Sequence, residues 1–245
     1  MIAAHRLLRL VGVSAGAALV SVSLLNAQGA AGGNNKPLAY ANGLVGTAPL
    51  DDPKLIGNAP PPGEQLYSGF TSPGARLPHS STELAPINAN LDLSYPAGVR
   101  ASYFYPNRTM YGFSSGADET PTVMPVVGDW TVPPERSGSV YDKQQEKASP
   151  GYYSVYLEDY RTRVEMTATT WTGIFRITFP RTDKANILLD LGFSGGDVEV
   201  VNDRTVRGKS RDGSRYFLAE FSRPFGSFGV FKQVPPRGGD SIVGD

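Results

Sequence analysis

The chain has 245 residues, no cysteine, and 23 basic against 23 acidic residues. Such a length buries a sizeable core without staples, the missing thiols exclude disulfides and thiolate metal sites, and the zero net charge argues against nucleic acid held by counterion release. Its 28 Gly, 20 Pro, 12 Tyr and 11 Phe suit many short strands joined by tight turns.

At the N-terminus His5, Arg6 and Arg9 form a basic region, residues 10–25 are apolar, and small residues follow at Ala27, Gly29 and Ala30. The apolar run is shorter than the ~20 residues of a membrane span, so the pattern predicts a cleaved export signal over residues 1–27. The expected location is periplasmic or extracellular, with no membrane association after cleavage. Residues 28–39, rich in Gly, Ala and Asn, predict a flexible leader. The folded body is expected over residues 40–234, and residues 235–245 read as a linker-like tail.

Within the body, residues 40–46 are a candidate first strand. Residues 51–63 carry Pro53, Pro60, Pro61 and Pro62 and must loop, because proline cannot donate to a sheet ladder. Long loops of this kind are often functional. The irregular character continues through Phe70 and Thr71 to His79. Residues 98–105 alternate and stop at Pro106. Residues 122–127 are apolar but interrupted by Pro125, which predicts an edge strand or a bulge. The polar residues 142–147 have room for one helical turn.

The densest strand signal runs over residues 146–191, read as consecutive antiparallel strands. Alternation puts Val164, Met166 and Ala168 on one face, and Phe175, Ile177 and Phe179 opposite Arg176 and Thr178. Further strands are predicted over residues 198–201, 205–210, 215–221 and 227–234, with turns at Asn202-Asp203 and Asp212-Gly213. Strands at this spacing, with no long amphipathic helix among them, predict an all-β fold: an antiparallel β-sandwich.

Sequence motifs for phosphate loops, dinucleotides, zinc proteases, EF-hands and nucleophile elbows are absent. Histidine occurs only at His5 and His79, so a triad in the mature chain would rest on His79; its simpler reading is a surface loop residue. Asp118 with Glu119, Glu158 with Asp159, and Asp190 are carboxylates that a glycosidase pair, ~6.5–9.5 Å apart when inverting, would draw on. Each also reads, more simply, as a solvated or turn-capping group. Trp130 and Trp171 suit either stacking on a sugar face or a place in the core or rim.

Several motifs then fall into one order: residues 43–47 (GLVGT), 72–75 (SPGA), 124–128 (MPVVG), 146–155 (EKASPGYYSV), 167–169 (TAT), Arg176, 178–180 (TFP), 186–191 (NILLDL), 216–217 (YF) and 221–225 (FSRPF). Together they resemble the N-terminal domain of glycoside hydrolase family 92 across nearly the whole mature chain. The resemblance implies a β-sandwich, carbohydrate-binding in character, packed against a C-terminal (α/α)-barrel catalytic domain. It also implies a calcium-dependent, inverting exo-α-mannosidase acting on α-linked mannose-containing glycans. The catalytic Glu and Asp and most metal contacts of that family come from the barrel, so this chain alone is expected to be non-catalytic and is assigned no metal of its own.

The chain also departs from the family pattern. The segment 111–116 (YGFSSG) lacks the histidines of the family's GFSHTHLSG-like run, and the proline-rich insert 51–63 replaces the usual opening. For the wall facing the sugar, the expected residues are Phe70, Thr71, His79, Phe113, Ser114 and Trp130. The alternatives are a stand-alone carbohydrate-binding module and a purely structural or assembly domain.

Overall fold

The computed structural model describes residues 7–12, 41–47, 72–88, 103, 107–115, 121–129, 137–191 and 196–231. The strands are β1 (Leu7–Gly12), β2 (Ala75–Arg76), β3 (Glu83–Ile87), β4 (Thr109–Met110), β5 (Gly112–Ser114), β6 (Thr122–Val127), β7 (Ser139–Val140) and β8 (Lys147–Ser149). They continue as β9 (Tyr152–Leu157), β10 (Thr162–Ala168), β11 (Gly173–Thr178), β12 (Ala185–Asp190), β13 (Gly196–Asn202), β14 (Thr205–Ser210), β15 (Tyr216–Glu220) and β16 (Phe225–Phe231).

The described residues form three principal sheets. One has seven strands in the order β16-β1-β12-β6-β5-β3-β2, one has four (β11-β10-β9-β8), and one has three (β13-β14-β15); β4 and β7 make a small ribbon. All pairings are antiparallel.

The alternation in β10 sets the main core. Val164, Met166 and Ala168 are buried, and β9 adds Tyr153, Val155 and Leu157 to the same face. Against them pack Leu84, Phe113, Met124, Val126 and Leu188 from the seven-stranded sheet and Met110 from the β4–β7 ribbon. Each such side chain, taken fully out of water, stabilises the fold by about 1.5–3 kcal/mol. The two sheets therefore meet face to face as a sandwich.

The reverse face of β6 and β12 is covered too. Val123 and Leu189 pack with Val206 and, at the margin, with Ile187, Val198, Phe217 and Phe225. Strands buried on both sides lose the polar half of the alternation. That is why residues 122–127 (TVMPVV) and 185–190 (ANILLD) read as apolar runs.

Several expectations need correction. Residues 146–191 are not one continuous meander: after β11 the chain leaves the four-stranded sheet, and β12 inserts between β1 and β6 of the other. Pro125 lies in a strand inside the seven-stranded sheet, paired opposite Ile187. It is tolerated because β5 pairs only with Thr122 and Val123, so among the described residues that flank of β6 has no partner strand at Pro125. Asn42–Thr47 is a pair of turns and not a strand: the Asn42 side chain takes the Leu44 N–H at 2.9 Å, and Gly43 N–H bonds Ala148 O at 3.3 Å. The predicted helical turn exists as a 3-10 turn, Lys143–Gln145, capped by Asp142.

The expected strand over residues 98–105 and the loop 51–63 lie outside the described residues. The expected export signal contains β1, which pairs over six positions with β12 and with β16. Among the described residues, no helix is long and apolar enough to cross a membrane.

Candidate functional site

Three turns meet at one end of the sandwich. In the β2–β3 hairpin, Ser80 N–H bonds Leu77 O at 3.2 Å and Ser80 Oγ donates to Thr82 O at 2.8 Å. His79 caps this hairpin with φ of 60°, a left-handed backbone that a non-glycine residue adopts only when its surroundings hold it there. Arg76 and Glu83 clamp the base of the hairpin at 3.2 Å.

The β10–β11 hairpin lies beside it. Thr169 N–H bonds Thr172 O at 2.8 Å, and Thr169 Oγ1 accepts the N–H groups of Trp171 and Thr172 at 3.3 and 3.0 Å. The two hairpins are stitched together, since both the N–H and the hydroxyl of Ser81 donate to Thr170 O at 3.1 Å. The β8–β9 turn closes the cluster: Gly151, at φ of 73°, faces Leu77, and its carbonyl accepts Thr167 Oγ1 at 2.7 Å.

This fixed scaffold presents Trp171 with 79% of its surface in water, together with exposed His79 and Leu77. An indole held open in this way is a flat apolar plate on a hairpin that also carries exposed Thr169, Thr170 and Thr172.

Inside the sandwich lies a second polar cluster. Glu146, 5% exposed, accepts Tyr103 Oη at 2.7 Å and Tyr153 Oη at 2.6 Å, and Lys143 Nζ stands 3.5 Å from it. Lys143 also donates to the hydroxyls of Tyr103 and Tyr141, and its ammonium sits 4.2 and 4.7 Å from the centres of those two rings. Tyr141 Oη in turn accepts Asn88 Nδ2 at 2.7 Å. Burial pulls the Lys143 ammonium down to about 8 against the opposing pull of Glu146. Burial, then neighbouring charge, raises the Tyr103, Tyr141 and Tyr153 phenols above their ordinary range. Buried at Glu146 and Tyr153 and hydrogen-bonded throughout, this cluster is a structural network joining the 3-10 turn to β9.

A third polar group covers the outside of the four-stranded sheet. Arg176 Nε bonds Glu165 Oε2 at 2.6 Å, Tyr152 Oη donates to Glu165 at 2.7 Å, and Arg163 stacks 5.7 Å from the Tyr156 ring. The hydrogen bonds from Arg176 hold the Glu165 carboxyl below the usual carboxylate range.

Of the expected wall residues, His79 is exposed at the hairpin tip. Phe113 is fully buried in the main core, and Ser114 is 2% exposed with its hydroxyl turned to Ala85 O. Neither side chain reaches a surface: Phe113 points into the main core and Ser114 is held against the backbone of β3. Phe70, Thr71 and Trp130 lie outside the described residues. Of the carboxylates, Asp159 accepts Val140 N–H at 2.8 Å and fastens the β9–β10 turn to β7, while Glu158 is exposed beside it. Asp118 and Glu119 lie outside the described residues. Among the described residues no three His, Asp or Glu side chains are placed together to hold a metal ion.

The arrangement defines an antiparallel β-sandwich with a rigid, aromatic loop end and with its described carboxylates in structural or solvated positions. The profile of the glycosyl hydrolase family 92 N-terminal domain matches residues 42–244, and the chain belongs to that family as its N-terminal domain.

Solved structures agree. A family GH92 α-mannosidase of Bacteroides thetaiotaomicron in complex with mannoimidazole is 26% identical, with a TM-score of 0.59 over 78% of this chain and 26% of its own. The structure of the same enzyme titled without that ligand is 28% identical, with the same TM-score of 0.59 and the same coverage of 78% and 26%. A family GH92 inverting mannosidase of that organism shares the fold at 21% identity, with a TM-score of 0.64 over 87% of this chain and 28% of its own. The chain thus spans about a quarter of the length of these mannosidases. No curated protein sequence matches it.

Proposed function

We propose that this chain is the non-catalytic half of an exported α-mannosidase-type glycosidase, and that its loop end forms one wall of a sugar site completed by an (α/α)-barrel catalytic domain. The family match over residues 42–244 carries this reading, in a chain that spans only about a quarter of the mannosidases it resembles. In it, Trp171 offers its indole to the C–H face of a mannose unit and His79 stands at the rim. The catalytic carboxylates and most of the calcium ligands belong to the barrel in this reading.

Incubating the chain with α-mannosides and calcium tests the claim: no turnover is expected, and authentic hydrolysis would overturn it. The second reading, a stand-alone carbohydrate-binding module, is favoured by how fully Trp171 is exposed on its own hairpin. Calorimetric titration with mannose oligosaccharides separates the two. Binding without a partner assigns the module; silence, together with binding in the complete enzyme, assigns the half-site.

A further inference from the structure

Strand β15 is an open edge of the three-stranded sheet: among the described residues it pairs with β14 alone. The β14–β15 ladder ends in bonds from Phe221 N–H to Arg204 O at 2.8 Å and from Ser210 N–H to Arg215 O at 3.0 Å. Hydrogen-bonded positions recur at every second residue of an antiparallel ladder, so Phe217 and Ala219 also turn their backbone groups to β14. Tyr216, Leu218 and Glu220 turn theirs outward, away from the sheet.

Natural edges are blunted by lysine, proline or bulges. The opposite edge strand, β13, has a register shift between Val200 and Asn202, whereas β15 runs without one through the sequence YFLAE. The residues with outward backbone groups also have their side chains in water: Tyr216 is 76% exposed, Leu218 63%, and Glu220 is exposed beside them.

We infer that β15 is a dimerisation edge, which joins β15 of a second copy antiparallel about a two-fold axis through Leu218. That register sets Leu218 opposite its own copy and each Tyr216 opposite a Glu220, and every one of these pairs exchanges two backbone hydrogen bonds. Sliding by one residue would oppose outward groups to inward ones, and sliding by two would lose one of the pairs. Parallel pairing would bring Glu220 beside Glu220, a like-charge contact. In the antiparallel register the two Glu220 positions lie about 13 Å apart, four residues along the strands. Each meets Tyr216 of the second copy, whose neighbour on β14 is Lys209, so the edge complements itself in charge as well as in backbone groups. Dimerisation through β15 makes no use of the sugar site, so neither reading falls with the other.

The test is sedimentation of the full chain over a range of concentrations, with two variants. A monomer and dimer in equilibrium are expected. Leu218→Pro removes only an outward N–H, which an edge strand tolerates, so this variant should fold like the parent and stay monomeric. The chain has no cysteine of its own, so Leu218→Cys reports the contact directly. Facing Cα atoms of a hydrogen-bonded pair lie about 5.5 Å apart, inside the disulfide range of about 4.4–6.8 Å. Under mild oxidation Leu218→Cys should cross-link at least about tenfold faster than Val201→Cys, an exposed control on the far edge strand. A monomeric parent overturns the dimer edge, and so does a dimer that persists in folded Leu218→Pro. Equal cross-linking of the two cysteine variants overturns it too, as do open-ended polymers in place of dimers. If Leu218→Pro fails to fold, the ratio of cross-linking rates decides.

Discussion

Lys143 Nζ and Glu146 Oε2 lie 3.5 Å apart across one 3-10 turn, with side chains 9% and 0% exposed. The carboxylate also receives two phenol hydroxyls, so removing it strands three donors in the interior. Breaking a buried pair from one side costs about 3–5 kcal/mol. Glu146→Ala is expected to lose that much in urea denaturation at neutral pH, and Glu146→Gln, which keeps an acceptor, to lose less.

The same pair gives a pH signature. Lys143 holds its proton less tightly when folded, at about 8, than its ordinary 10.5. Between those values the unfolded chain binds the extra proton, so stability rises as pH climbs from about 8, and the destabilising contribution is present in full below that. Tyr103, Tyr141 and Tyr153 act in the opposite sense. Their raised values keep protons that the unfolded chain releases above 10.0, so stability falls beyond it. Denaturation midpoints across the alkaline range should therefore pass through a maximum between about 8 and 10.0. Lys143→Met should lack the rising limb.

Trp171 is expected to separate binding from stability. Its side chain is 79% exposed, and substitutions at such positions change stability by about 0.5 kcal/mol or less. Trp171→Ala should melt like the parent while losing mannoside binding in the complete enzyme. Full binding by a well-folded variant would remove the indole from the sugar wall.

Gly74 tests how tightly the motif at residues 72–75 is packed. A Cβ placed there would lie 2.4 Å from Leu84 O and 3.0 Å from Ala85 Cα, both backbone atoms of β3 that cannot swing away. Gly74→Ala should cost at least about 1–3 kcal/mol through overpacking. Gly229→Ala is the control, because nothing lies within 4 Å of a Cβ at that position.

The outer half of this architecture was legible because it obeys simple periodicities. The β10 alternation named Val164, Met166 and Ala168 as core, and all three are buried. Asn202-Asp203 marked the β13–β14 hairpin. What alternation cannot express is which sheet a strand joins. The route of β12 into the seven-stranded sheet depends on partners more than fifty residues away, as in the pairing of Asn186 with Val126. The internal network was hidden for another reason: residues 142–147 (DKQQEK) have the composition of a solvated turn, and only tertiary packing turns Lys143 and Glu146 inward. Of the expected wall residues, Phe113 and Ser114 belong to a motif whose strand is interior. Trp171 carried no spacing signal beyond being an aromatic at a bend.

The position of β12 also sets an order of events in time. The meander β8-β9-β10-β11 closes through neighbours in sequence, and local hairpins of this kind form within microseconds. Strand β6, by contrast, must wait for β12 some sixty residues further on, and the sheet is not finished until β16 has been made. Topologies dominated by such distant pairings fold in milliseconds to seconds. A chain emerging N-terminus first therefore carries the apolar segment 122–127 without its β12 partner while some sixty further residues are made, and its yield depends on how well that interval is shielded from other chains.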